Sequence, residues 1–225
     1  MMIRNYFPLL LFLLSPLAIS AQHFSGGISS GFTRSDITGM HRGISIKNMQ
    51  RTGFTGGLLV AYNLDDAEFL QMEINYTQRG CKVSESPYDY YLVKENYFDV
   101  PMLFRFANEA TNYNLLYVFE GGVSVGKLYE SSEWLSVYGQ NLYQLQNDLL
   151  KFRQIDMSLL AGFGFCFPNG VYWGQRFNYA IYPDIKRDRL PSGMRILGLG
   201  KGHNVGTQIF FQFCFGKAKM RVSGW

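Results

Sequence analysis

One hairpin constrains this chain more than any other stretch. Between Gln154 and Phe167 the apolar residues Ile155, Met157, Leu159, Ala161, Phe163, Phe165 and Phe167 take every second position. Between them stand Asp156, Ser158, Gly162, Gly164 and Cys166, with Leu160 the one bulky exception. Successive side chains of a strand point to opposite faces, so this alternation predicts a strand with one apolar face and one small or polar face. After Pro168-Asn169-Gly170 the second arm runs from Val171 to Tyr182. The Asn-Gly step predicts a two-residue hairpin turn, since both residues tolerate positive φ.

Length narrows the choice. An ordinary strand has about 5–6 residues, whereas one crossing a bilayer at roughly 45° needs about 9–11. Both arms are long enough to cross. Alternation alone still leaves a soluble two-layer sheet open, because there the apolar face would meet a second layer.

Hydrophobic residues make up 47% of the 225-residue chain and aromatics 16%, with 19 Phe, 15 Tyr and 24 Gly. Yet the mean hydropathy is only −0.06. Beyond the N-terminus no apolar run reaches the roughly 18 residues that a spanning helix needs, which excludes a helical membrane protein. Near-neutral hydropathy with many aromatics and glycines suits a transmembrane barrel, whose two faces average out.

Residues 1–21 have the form of a secretory signal. Arg4 supplies a basic start, Phe7 to Leu17 an apolar core too short to span, and Ala18-Ile-Ser-Ala21 the small residues of a cleavage site before Gln22. No cysteine follows the apolar core, so a lipid anchor is not expected. Cys81, Cys166 and Cys214 are odd in number and lack metal-ligand spacing; they read as small strand residues rather than a disulfide scaffold. No cofactor and no metal site is expected.

The same alternation recurs through the mature chain as eight strands. They run at about residues 23–34, 52–62, 68–82, 91–107, 115–127, 154–167, 171–182 and 204–215. The third is the clearest, setting Leu70, Met72, Ile74 and Tyr76 against Gln71, Glu73, Asn75, Thr77 and Arg79. Pro101 sits inside the fourth and removes a ladder donor, which predicts a bulge or local distortion there. Connections alternate between short (63–67, 108–114, 168–170) and mostly longer ones, as in outer-membrane barrels. The expected fold is all-β: an eight-stranded antiparallel up-and-down transmembrane β-barrel over residues 22–216, followed by a short basic tail, 217–225.

Two segments then carry a resemblance. Glu73-Ile-Asn-Tyr-Thr-Gln-Arg-Gly80, followed by Tyr97-Phe-Asp-Val-Pro-Met-Leu-Phe-Arg-Phe106, resembles the outer-membrane β-barrel domain of PorT-type proteins. That family has a similar E-x-x-Y-x-x-(K/R)-G strand and then a Y-x-x-(I/V)-P-x-L-x-(K/R) strand. The resemblance covers most of the mature chain and implies an eight-stranded barrel in the outer membrane of a diderm bacterium. Some members take part in protein secretion, so it also implies a secretion-machinery protein as partner. The tail beyond Phe215 departs from barrels that end on an aromatic strand residue.

With the apolar faces toward lipid, Glu73, Arg79, Asp99, Arg105, Glu120, Asp156 and Arg176 point into the lumen. An eight-stranded barrel is narrow enough for side chains to fill, and buried charges must pair, so these seven are expected to form a polar plug. The long loops are basic. Arg42 and Lys47 in the first, and Lys186, Arg187 and Arg189 in the last, are candidate contacts for lipopolysaccharide phosphates or an acidic partner. The 128–151 segment is apolar for a loop and is expected to extend its flanking strands, with docking of a protein partner as the other reading.

No catalytic residues stand out. Only His23, His41 and His203 could serve as bases, and no spacing pairs them with Ser45, Ser192 or a carboxylate. Nucleic acid is a poor partner for an exported chain whose basic residues are not interleaved with stacking aromatics. The expected role is a non-enzymatic structural or assembly component linked to secretion. The alternative is a soluble secreted β-barrel binding a small apolar ligand, which requires the apolar residues inside.

Overall fold

The computed structural model describes residues 24–38, 50–65, 67–84, 90–109, 115–137, 140–144, 152–167, 169–183 and 203–215. Its strands are β1 (Phe24–Thr38), β2 (Arg51–Asn63), β3 (Glu68–Ser84), β4 (Tyr90–Glu109), β5 (Leu116–Val137), β6 (Gln140–Gln144), β7 (Ile155–Cys166), β8 (Val171–Ala180) and β9 (His203–Phe215). Every pairing is antiparallel. The ladder runs β4-β3-β2-β1-β9-β8-β7-β5, and β4 pairs with β5 to close it. Eight strands therefore form a closed barrel, so none of the eight is left as an edge of the barrel ladder. The ninth, β6, pairs with the upper part of β5 outside the barrel ladder.

The facing of the side chains decides between the two sequence readings. Ile74 is 56% exposed, Phe163 41% and Phe211 57%, while Glu73 is 1% and Arg105 0% exposed. Apolar side chains clothe the outside and polar ones fill the inside. Soluble monomers rarely expose a continuous apolar surface of this extent, so the soluble barrel with an apolar interior is overturned. Aromatic contacts mark both margins of the apolar band, as at membrane interfaces. At the short-turn end Phe24 packs on Tyr62 and Phe165 stacks on Trp173, with ring centroids 4.8 and 5.6 Å apart. At the other end Phe98 meets Tyr76 and Tyr129 edge-on.

Three local features refine or correct the sequence expectation. Pro101 brings the expected local distortion rather than a bulge: Met72 faces Met102 and Asn75 faces Asp99 in one register, and the two rungs between them are missing on the β3 side. The lost donor weakens the ladder without adding a residue. The bulge of β4 against β5 lies instead between Asn96 and Tyr97, where Tyr129 is the extra residue on β5. The β7–β8 turn spans three residues rather than two. Gly170 N–H donates to Phe167 O at 3.0 Å and Phe167 N–H to Val171 O at 2.8 Å, with Gly170 at φ 84°. The third feature agrees with the expectation: β5 continues ten residues past Lys127, to Val137, and is met by β6. Strand extension thus takes up much of the apolar 128–151 segment.

One corner of the barrel curls tightly. Ser29 on β1, Gly57 on β2 and Asn75 on β3 form one row, and Ser29 Oγ donates to Asn75 Oδ1 at 3.2 Å across the glycine. A Cβ on Gly57 would collide with the Ile74 carbonyl and Asn75 Oδ1. Further up, Thr33 Oγ1 donates to Gln78 O at 2.5 Å, and Ser35 Oγ donates to Gly80 O and accepts from Gly80 N–H, each at 2.9 Å. The first strand therefore bonds the third through the inside of the second.

Candidate functional site in the barrel lumen

Period-two alternation aims the polar residues of each barrel strand inward, and closure brings them together. The lumen fills in layers. At the short-turn end Phe69, Ala107, Val118, Cys166, Tyr172 and Phe210 form an apolar floor.

Above the floor lies a four-charge layer drawn from four strands. Arg105 of β4 donates to Glu120 of β5 through Nε at 2.9 Å and Nη2 at 2.7 Å. Arg176 of β8 donates through Nε to Glu120 Oε1 at 2.6 Å, and through Nη1 and Nη2 to Glu73 of β3 at 3.1 and 2.9 Å. Two arginines meet two carboxylates, so the layer is formally neutral. Gln71, Asn75 and Gln212 each donate to Glu73, at 2.6, 2.6 and 2.9 Å. Gln71 and Gln212 also accept from Arg105 Nη1 at 2.7 and 2.9 Å. The guanidinium groups rest on the floor: Arg105 lies 4.4 Å from the Tyr172 ring centroid and Arg176 4.5 Å from that of Phe210. Cation–π contact and ion pairing thus act on the same two side chains.

A second, smaller layer lies toward the long loops. Arg79 of β3 donates to Asp99 Oδ2 at 2.6 Å and to Asp156 Oδ2 at 2.8 Å, and its guanidinium lies 4.9 Å from the Tyr97 ring centroid. Ser158 Oγ donates to Asp156 Oδ2 at 2.9 Å. Asp99, Gly126 and Asp156 share one row, and Gly126 leaves the space that the Asp99 carboxylate occupies.

All seven charged residues proposed from the alternation are therefore buried in the lumen, and they separate into a group of four and a group of three. Sequence reasoning missed the neutral partners Gln71, Asn75 and Gln212, the aromatic supports Tyr97, Tyr172 and Phe210, and the fully buried Glu95 and Glu133. A signal for the floor was present: Phe69, Val118 and Phe210 are bulky apolar residues on otherwise polar faces. The loop cations Arg42, Lys47, Lys186, Arg187 and Arg189 lie outside the described residues, as do His23, His41, Ser45 and Ser192. His203 places Nδ1 2.9 Å from Ala180 O and stacks on Tyr179 at 5.6 Å. Cys81, Cys166 and Cys214 form no disulfide. Among the described residues no cluster of three or more His, Cys, Asp or Glu could hold a metal ion.

Comparison with known proteins decides the family. Residues 20–183 match the model of the outer membrane protein beta-barrel domain. The chain belongs to that family. It is an outer-membrane β-barrel protein, and its apolar belt is the surface that meets membrane lipid. No curated protein sequence matches the chain. Solved structures similar to this outer-membrane barrel include Neisserial surface protein A, at 12% identity and a TM-score of 0.44, covering 85% of this chain and 97% of that one. Ail, the attachment invasion locus protein of Yersinia pestis, is similar at 15% identity and a TM-score of 0.42, covering 86% and 99%. OprG from Pseudomonas aeruginosa is similar at 14% identity and 0.43, covering 86% and 94%.

Proposed function

We propose that this outer-membrane barrel is a non-enzymatic structural or assembly component of the PorT type, exported through a signal peptide at residues 1–21 and acting with a protein partner in secretion. The observation that carries the reading is the filled lumen. Glu73, Arg105, Glu120 and Arg176 reach in from four walls, bond to one another and stand on an apolar floor. A barrel closed in this way moves no cargo through its centre, so its working surfaces are the outer wall and the loops. The charged residues of the motifs that resemble the PorT type, Glu73, Arg79 and Arg105, belong to the plug itself. The basic loops, with Arg42, Lys47, Lys186, Arg187 and Arg189, supply contacts for lipopolysaccharide or an acidic protein surface.

The deciding experiment is purification from gently solubilised outer membrane after in vivo cross-linking. The expected result is one co-purifying component of a secretion system at near-stoichiometric yield; recovery of the barrel alone removes the secretion role. In planar bilayers the purified protein is expected to carry no persistent, ion-selective current, and such a current would contradict the plug. Lipid A from overexpressing cells is expected to keep its mass, and a lost acyl chain would overturn the non-enzymatic reading.

A further inference from the structure

The outer wall carries a second concentration of chemistry, separate from the lumen. On β5 Lys127 and Tyr129 project outward, both exposed, just above the lipid-facing Val125. Lys127 faces Ile155 in register, and the ladder continues one step further, where Leu128 N–H donates to Gln154 O at 2.8 Å. Arg153 is therefore the next outward residue above Ile155, diagonal to Lys127 and beside Tyr129. Diagonal neighbours across a sheet lie within reach of long side chains. Arg153 is held in place: its guanidinium lies 5.5 Å from the Tyr182 ring centroid and its Nε donates to Pro183 O at 3.3 Å. Neither Lys127 nor Arg153 has a carboxylate partner among the described residues.

The setting is specific. Phe98 and Ile155 flank Lys127 in its own row, and Val125 and Met157 form the next outward row below, all of it wall that belongs in hydrocarbon. Directly beside the two cations Tyr129, 70% exposed, and Tyr182, 47% exposed, have the amphipathic form of rings at a headgroup boundary. Two cations at that height, with no carboxylate partner among the described residues, face the phosphates of whatever lipid packs on the apolar wall beneath them. The acyl chains and the charged head of one lipid would then be bound together.

We infer that Lys127 and Arg153, framed by Tyr129 and Tyr182, form a binding site on the outer wall for the phosphate-bearing head of an outer-leaflet glycolipid of the lipid A class. Arg153 offers a planar fork for phosphate oxygens and Lys127 a point charge from the adjacent strand. The site rests on the reading of the long-loop end as the outward one.

The test reconstitutes the full chain in phosphatidylcholine vesicles that contain bis-phosphorylated lipid A, dephosphorylated lipid A or phosphatidylglycerol. Lipid retained after detergent extraction is read by native mass spectrometry. Wild-type protein is expected to retain bis-phosphorylated lipid A, and Lys127→Gln/Arg153→Gln to bind it about thirtyfold more weakly, from the loss of two boundary cations. The control Lys94→Gln, whose ammonium lies over Trp134 higher on the wall, is expected to retain it as the wild type does. Equal retention of dephosphorylated lipid A, equal retention of phosphatidylglycerol, or an unaffected double variant would each overturn the site. Heat-modifiable gel mobility reports the barrel separately. A double variant that keeps the shift while losing the lipid supports the site; a wild-type chain with no shift in any lipid removes the underlying barrel reading instead.

Discussion

Arg176 and Glu73 stand 103 positions apart in the chain and meet in the lumen through two hydrogen bonds, of 3.1 and 2.9 Å. Arg176 lies on β8 and Glu73 on β3, strands with no direct pairing, so the contact crosses the barrel interior. Its partners extend the same logic. Glu120 bonds both Arg176 and Arg105, and Gln212 bonds both Glu73 and Arg105. A closed ring of this kind holds opposite walls at a fixed separation. Its cost is desolvation of four charges, offset because nearly every polar atom in the ring has a partner.

The pair is accessible to a double-mutant cycle. Glu73→Gln and Arg176→Met should each destabilise the barrel by about 3–5 kcal/mol, because each leaves an opposing charge buried with too few partners. The double variant should recover about 1–3 kcal/mol of that sum, since the two groups touch. Urea unfolding in lipid vesicles, followed by tryptophan fluorescence, measures both quantities. Strict additivity would mean that the two side chains do not share an interaction.

The second layer makes a sharper case, because one cation serves two carboxylates. Arg79→Leu should cost about 3–5 kcal/mol by leaving Asp99 and Asp156 buried without their guanidinium. Adding Asp99→Asn and Asp156→Asn to that variant should restore most of the loss. If the triple variant is no more stable than Arg79→Leu in the same urea titration, repulsion between the aspartates is not the cause.

Lipid exposure is tested by depth. Leu58 is 66% exposed in the middle of the apolar band, in a row with Ile28 and Ile74. Leu58→Arg should cost about 2–4 kcal/mol, whereas Thr52→Arg, outward-facing near the long-loop end of the same strand, should cost about 0–1 kcal/mol. Folding yields in vesicles of matched thickness give the comparison. Equal costs would mean that β2 does not cross hydrocarbon.

The curled corner predicts a contrast between two glycines. Gly57→Ala should destabilise by at least about 1–3 kcal/mol, because the added methyl strikes the β3 backbone and the Asn75 side chain. Gly121→Ala should be close to neutral, since a Cβ there has only the Leu160 carbonyl at 4.0 Å. A Gly57→Ala protein as stable as wild type by heat-modifiable mobility would show that β1 and β3 do not need this approach.

Strand count and the sorting of residues onto two faces were legible in the sequence alone. A strand has a period of two whatever its neighbours, so alternation put Ile74 and Phe163 on apolar faces and Glu73, Arg105 and Arg176 on the polar faces opposite, without saying which of the two sets is outward. The eight barrel strands followed from the same local rule. Closure of the barrel decided which face turned outward and, beyond that, which inward groups meet. That depends on the stagger accumulated around the closed ladder, a non-local quantity to which each strand adds its own offset. Closure put Arg176 against Glu73 and Glu120 rather than against Asp156, and gave Asp156 to Arg79. It also let Phe210 and Tyr172, which break the polar pattern of their own strands, become a floor for two guanidinium groups. Extension of the flanking strands was legible in the apolar 128–151 segment, but how far β5 rises, to Val137, and that β6 meets it were set by pairing above the membrane, where the bilayer no longer imposes an apolar face.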